Sequence, residues 1–139
     1  MTKIKKIAAS ILAAASISAM GITSYAATAQ TTSYKDVDYS FSLSPWKSTF
    51  TSVGAKEDSS ANNYAKVYTE DGNLSNNVYA QFDIFDYADA DLISNTVKAT
   101  SNNSSYRLDY TKARGEGSLN VLRATAGRYS VYSTGYWHP

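Results

Sequence analysis

Residues 36–44 read DVDYSFSLS, and this stretch decides the fold class. From Val37 to Leu43, every odd position carries an apolar side chain and every even position a polar one. Successive side chains of a β-strand point to opposite faces, so the pattern predicts a strand with one buried face and one solvated face. Pro45 follows directly, and proline lacks the N–H that a sheet hydrogen bond needs. The strand is therefore expected to end before it.

Further stretches rich in Tyr, Val and Phe follow at short intervals, separated by Asn, Ser and Gly residues that favour turns. These predicted strands are residues 64–70, 78–87, 106–112, 119–124 and 129–137. Only residues 86–96 have helical character. We therefore expect an all-β protein, a single antiparallel β-sandwich or small barrel of about six to eight strands over residues 36–139. Its predicted core consists of Val37, Tyr39, Phe41, Leu43, Phe82, Ile84, Leu108 and Val121.

The first 26 residues have the composition of a secretory signal peptide. Three lysines within the first six positions precede an uncharged stretch of apolar and small residues over 7–22. This stretch is diluted by Ala and Ser and falls short of the roughly 18–20 apolar residues that a membrane span needs. We expect a signal peptide over 1–26, cleaved after Ala26 or alternatively after Ala29, then a flexible leader over 27–35. The mature protein is predicted to be secreted and extracellular.

Removal of the signal peptide changes the charge balance. The whole chain has 13 Lys and Arg against 12 Asp and Glu, and three of the lysines lie in the signal peptide. The mature chain therefore keeps 10 basic and 12 acidic side chains, a net charge of −2. Such a domain lacks the basic patch that gives affinity for nucleic acid, so no nucleic-acid partner is expected. Its weak charge and lack of a second apolar segment also predict no stable membrane insertion of the mature chain.

Residue types that carry out catalysis are scarce. The chain has no cysteine and a single histidine, His138, which excludes thiol, Ser-His-Asp and His-rich zinc sites within one chain. We expect no enzyme activity and no cofactor. Asp86, Asp89 and Asp91 are spaced closely enough to be calcium ligands, but the glycine and glutamate of an EF-hand are missing. The sequence leaves open whether these residues bind calcium or form a solvated loop with a capped turn.

Tyrosine is the unusual component, at 12 of 139 residues. Tyrosines pair well across β-strands, so packing explains many of them. The other interpretation is a binding surface, because amphipathic rings among polar side chains contact sugars and proteins. If residues 64–70 and 78–87 pair as a hairpin, their outward-facing rings fall on one face. The candidate binding residues of this predicted patch are Tyr64, Tyr68, Tyr79, Phe85 and Tyr87.

Three stretches resemble known proteins: YSFSL at 39–43, ARGEGSLNVLRA at 113–124 and GYWHP at 135–139. They resemble small secreted β proteins of Gram-positive bacteria, a distantly lactococcin-like group whose members tend to end in a Gly-X-Trp-X-Pro tail. The resemblance implies a small β domain and, for some relatives, a bacteriocin-like activity. No catalytic residue carries over from this group.

These observations predict a non-enzymatic binding or interaction module at or near the cell envelope. The expected partner is cell-wall glycan or another secreted or surface protein. The alternative is a secreted, bacteriocin-like antimicrobial or competition factor.

Overall fold

The computed structural model describes residues 36–56 and 64–139, which form an antiparallel β-sandwich and confirm the predicted fold class. The expected signal peptide and leader, 1–26 and 27–35, lie outside the described residues. Within the described part of the chain, no helix is long and apolar enough to cross a membrane. The eight strands there are β1 (Val37–Leu43), β2 (Ser48–Ala55), β3 (Tyr64–Gly72), β4 (Ala80–Asp86), β5 (Val97–Ala99), β6 (Ser104–Asp109), β7 (Leu119–Ala126) and β8 (Val131–His138).

The strands divide into two four-stranded sheets. Sheet A has the order β1-β8-β3-β6, and sheet B has the order β2-β7-β4-β5. Of the connections between consecutive strands, β4–β5 alone stays within one sheet. The antiparallel pairings bring four connections to one end of the sandwich, which we call the loop end. These connections are residues 44–47, 73–79, 100–103 and 127–130.

The core lies between the two sheets. In β1 the odd positions are buried and the even positions exposed along the whole strand, as the alternation predicts. Tyr39 and Phe41 of β1 contact Phe82 of β4 edge-on, with ring centroids 5.5 and 5.9 Å apart. Trp137 of β8 is fully buried in the same cluster. The apolar side chains of β1 therefore pack sheet A against sheet B.

The predicted hairpin between residues 64–70 and 78–87 is wrong. β3 pairs with β6 and β8 in sheet A, whereas β4 pairs with β5 and β7 in sheet B. The connection 73–79 is long enough to cross from one sheet to the other, and it buries Leu74 in the core as it does so. The helical character expected over 86–96 is also wrong, because this segment turns back and brings Ile93 into the core beside β4.

One predicted core residue lies elsewhere. Val121 is buried, but it packs with Val53 and Tyr87 in a second cluster, apart from the inter-sheet core. Its neighbour Leu122 faces the inter-sheet core, so Val121 points to the outer face of sheet B. The other predicted core residues lie between the sheets, as expected: Val37, Tyr39, Phe41, Leu43, Phe82, Ile84 and Leu108.

Candidate functional site

The five candidate binding residues do not share one face, because β3 and β4 belong to different sheets. Tyr64 and Tyr68 lie on the outer face of sheet A, and Phe85 lies on the outer face of sheet B. Tyr79 lies at the loop end, and Tyr87 is buried rather than outward-facing. The prediction that these residues form one contiguous patch is therefore wrong. A binding role for the individual residues stays a prediction.

Tyr64 and Tyr68 belong to a different aromatic group. Tyr136 of β8 lies directly opposite Tyr68 of β3, and the two rings stack with centroids 4.7 Å apart and planes 17° apart. Both rings are only partly buried, on the face of sheet A that points away from the core. We call Tyr64, Tyr68 and Tyr136 the tyrosine face. The sequence patterns do not indicate Tyr136 as a partner of Tyr68, because strand pairing between β3 and β8 joins distant parts of the chain.

Basic side chains flank the tyrosine face. The Arg107 guanidinium lies 4.1 Å from the centroid of the Tyr64 ring, and the Lys66 ammonium lies 5.8 Å from it. Both geometries fit cation–π attraction. Arg107 also forms an exposed ion pair with Asp109, at 2.6 Å between Nε and Oδ1. The rings are therefore surrounded by charged donors and acceptors that remain accessible to solvent.

Acidic groups border the other side of this face. Asp38 of β1 lies opposite Tyr136, and Asp36 Oδ1 accepts a hydrogen bond from His138 Nδ1 at 3.2 Å. Burial against neighbouring groups, followed by the negative charge of Asp36, raises the pKa of the Tyr136 hydroxyl. A tyrosine phenol is neutral at physiological pH already at its ordinary pKa of 10.0, so Tyr136 can both donate and accept hydrogen bonds. A ligand on this face would meet phenol, guanidinium, ammonium and carboxylate groups side by side.

Phe85 is held by contacts within sheet B. Its ring meets that of Phe50 edge-on at 5.4 Å, and the Arg123 guanidinium lies 4.5 Å from its centroid. Arg123 also donates two hydrogen bonds to the buried Asp83 carboxylate, at 2.9 and 2.6 Å. This bidentate ion pair places Asp83 in a structural role. The side chains of Phe85 and Asp83 therefore already contact other residues of sheet B.

Tyr79 is packed closely at the loop end. Its ring lies against Gly127, where an added Cβ would approach the ring to 2.4 Å, and Lys98 Nζ lies 4.0 Å from the ring centroid. Gly127 N–H also donates to the Tyr79 carbonyl, at 3.1 Å. Tyr79 thus joins the 73–79 and 127–130 connections.

The acidic loop is built around ion pairs. Asp86 binds Arg114 at 2.5 Å and accepts a hydrogen bond from the Ala88 N–H at 2.8 Å, while Asp91 pairs with Lys112 at 3.0 Å. Partial burial acts to raise the pKa of Asp86, but these N–H donors and the guanidinium outweigh it and lower the pKa below its ordinary value. Within residues 36–56 and 64–139, no three His, Asp or Glu side chains are grouped to hold a metal ion. Asp86 caps the turn, because the Ala88 and Asp89 N–H groups both donate to its Oδ1 atom.

A groove of about 420 Å³ lies where the edge strands β1 and β2 face each other. Its described lining consists of Ser40, Phe41, Ser42, Leu43, Ser48, Thr49, Phe50 and Thr51. Hydroxyl groups are the only side-chain polar groups in this lining, and no acid or base lies among these residues to activate them. The groove therefore presents hydroxyl groups beside the apolar side chains of Phe41, Leu43 and Phe50.

Comparison with protein-family models, with curated proteins and with solved structures finds no match for this chain.

Proposed function

We propose that the protein is a secreted, non-enzymatic binding module that acts at or near the cell envelope through the tyrosine face of sheet A. The observation that carries this proposal is the stacked Tyr68–Tyr136 pair, which stands on the outer side of the sandwich beside Tyr64. Cross-strand packing accounts for one contact between the two rings. It leaves the remaining ring surface, and the cations around Tyr64, available to a ligand.

Cell-wall glycan is the partner class that this chemistry favours. A sugar ring presents apolar C–H groups that pack on an aromatic ring, and hydroxyl groups that need donors and acceptors at its rim. The tyrosine face offers both, with Arg107 and Lys66 as donors and Asp38 as an acceptor within the same sheet. The centre of an interface between two proteins is usually depleted in charged residues. This surface mixes aromatic and charged side chains and so fits a protein partner less well.

Retention on isolated Gram-positive cell walls tests the proposal. We expect the double variant Tyr68→Ser/Tyr136→Ser to lose at least about ten-fold in retention, since aromatic anchors commonly contribute more than 1 kcal/mol each to binding. Tyr132→Ser is the control for a tyrosine that is not part of the stacked pair. Tyr132 is exposed and points to the same side of sheet A, four residues before Tyr136 along β8 and closer to the loop end.

The double variant should keep its fold, because the stacked pair lies outside the inter-sheet core. A melting temperature close to that of the unchanged protein, together with a normal far-UV spectrum, would establish this. Retention equal to that of Tyr132→Ser would contradict the proposal. Binding to a surface protein but not to purified wall glycan would replace the glycan by the protein partner.

A further inference from the structure

Trp46 occupies a turn position that suits glycine. Residues 44–47 join β1 to β2, and the Lys47 N–H closes the turn by donating to the Ser44 carbonyl at 3.2 Å. Trp46 is the third residue of this turn and has a φ of +62°. A positive φ at this position, after Pro45, is the pattern of a type II turn, in which Gly or Asn is preferred. The backbone of Trp46 is therefore strained, and its side chain gives the turn no conformational advantage.

Neighbouring backbone groups hold this strained turn in place. The Trp46 N–H donates to the Gly127 carbonyl at 3.0 Å, and the Ala126 N–H donates to the Lys47 carbonyl at 2.8 Å. Trp46 is 69 % exposed, whereas Trp137 is fully buried. Core packing therefore explains Trp137 but not Trp46. A strained residue that presents a large apolar ring to solvent points to a role in binding.

A second exposed ring lies in the adjacent connection. The 127–130 connection carries Tyr129, which is 47 % exposed, and Arg128, whose guanidinium lies 5.7 Å from the Tyr129 ring centroid. The hydrogen bond between Trp46 and Gly127 makes the two turns direct neighbours. Two aromatic rings and two cations, Lys47 and Arg128, are thus carried by adjacent turns at the loop end.

The charge of the loop end differs from that of the domain. Its four connections contain two basic residues, Lys47 and Arg128, and no acidic residue. The mature chain as a whole has more acidic than basic side chains. At the opposite end, the connections between β4 and β5 and between β6 and β7 hold acidic and basic residues together: Asp89, Asp91, Glu116, Lys112 and Arg114. The loop end is therefore cationic and aromatic, whereas these two connections of the opposite end carry charges of both signs.

We propose that the loop end binds the surface of an anionic lipid membrane. Trp46 and Tyr129 would lie at the boundary between head groups and acyl chains, where amphipathic rings are favoured. Lys47 and Arg128 would contact the lipid phosphates. Turns at one end of the sandwich can contact a planar membrane surface. A ligand that must be enclosed would instead need a cleft. The contact is peripheral and reversible, and it uses none of the residues of the tyrosine face.

Tryptophan fluorescence tests this proposal directly. The chain has two tryptophans, and Trp137 is fully buried, so a change in emission on vesicle addition reports Trp46. We expect vesicles of equal parts phosphatidylglycerol and phosphatidylcholine to shift the emission of the full chain to shorter wavelength. Pure phosphatidylcholine vesicles should produce at least about ten-fold weaker binding, because the cations then lose their partners.

Substitutions at the loop end test whether its basic residues contribute to vesicle binding. Lys47→Gln/Arg128→Gln should weaken binding to the anionic vesicles by about thirty-fold, at roughly 1 kcal/mol per basic residue. Leu92→Ala is the control, because Leu92 is an exposed apolar residue near the opposite end. All these chains share residues 1–35, so any affinity of that segment for lipid is common to them.

Three results would overturn the membrane proposal. The protein could bind vesicles with no change in Trp46 emission, or the Gln double variant could bind anionic vesicles as well as the unchanged protein. The emission shift could also be caused by soluble wall fragments and not by vesicles. The two proposals can fail separately. Tyr68→Ser/Tyr136→Ser should keep the vesicle-induced shift, and Trp46→Gly should keep retention on cell walls.

Discussion

The indole N–H of Trp137 in sheet A donates to the hydroxyl of Ser52 in sheet B at 2.8 Å, and both side chains are fully buried. This hydrogen bond crosses an interior that is otherwise mostly apolar. Buried polar groups need partners, and a well-placed bond between two sheets also fixes how they are aligned. Ser52 therefore has a role in the core that its polar side chain does not suggest.

Removal of the Ser52 hydroxyl should destabilise the protein because it leaves the indole N–H unpaired. We expect Ser52→Ala to lower the free energy of unfolding by about 1–3 kcal/mol, measured by chemical denaturation. In a Trp137→Phe background the same change should cost much less, since no donor remains to be satisfied. Equal costs in the two backgrounds would show that the bond contributes nothing.

Gly135 permits a close approach between strands. An added Cβ would lie 1.9 Å from the Tyr68 carbonyl oxygen and 2.9 Å from the Tyr39 hydroxyl. Because the first of these atoms belongs to the backbone, it cannot move aside cheaply. Gly135→Ala should therefore cost more than about 3 kcal/mol or prevent folding. Gly115→Ala is the control, since its nearest neighbour would be 4.0 Å away, and its thermal unfolding should be unchanged.

The strain at Trp46 can be measured by comparing two replacements. Trp46→Gly and Trp46→Ala both remove the exposed ring, but only glycine adopts the positive φ without penalty. We expect the Gly variant to be more stable than the Ala variant by about 1 kcal/mol, read from denaturant midpoints. Equal stabilities would show that the turn relaxes and that Trp46 is not strained.

Alkaline pH should unfold the protein through its buried tyrosines. Burial raises the pKa of Tyr39 to about 12 and also raises that of Tyr110, well above the usual value of 10.0. The folded state thus favours the neutral phenols, so their contribution is fully present below about pH 10 and is lost as pH rises toward 12. Tyrosinate absorbance from these residues should appear together with the loss of the far-UV β signal.

Tyr39→Phe gives the matched comparison for the alkaline transition. This variant loses the hydrogen bond from the Tyr39 hydroxyl to the Tyr68 carbonyl, so its stability at neutral pH should be slightly lower. Its stability should fall less steeply above pH 10, because one perturbed phenol has been removed. An identical slope would assign the alkaline transition to other groups.

Local patterns in the sequence predict some strands and miss others for physical reasons. The alternation of β1 is uninterrupted, so Val37 to Leu43 is predicted correctly. In β2 the pairing register shifts between Phe50 and Ser52, and the buried positions include Ser52 and Gly54. This bulge breaks the period-2 pattern, and small residues give a weak apolar signal.

The candidate site could be predicted only in part. Tyr64 and Tyr68 are correctly placed on one outward face, because that depends on alternation within a single strand. Their companion Tyr136 depends on which strands pair, and this is decided by packing across the whole sandwich. The β3–β4 connection could form either a hairpin or a crossover, and nothing in its Asn and Ser residues distinguishes the two.

The position of β8 between β1 and β3 has a consequence for the order of folding. Until β8 has been made, β1 has no neighbour in its sheet, and β3 has only β6. Pairings between such distant segments form late and slowly. A growing chain that stops before Val131 therefore has every strand of sheet B but cannot complete sheet A. The secretion that we propose would benefit from this delay, because an incompletely folded chain can be threaded through a narrow channel.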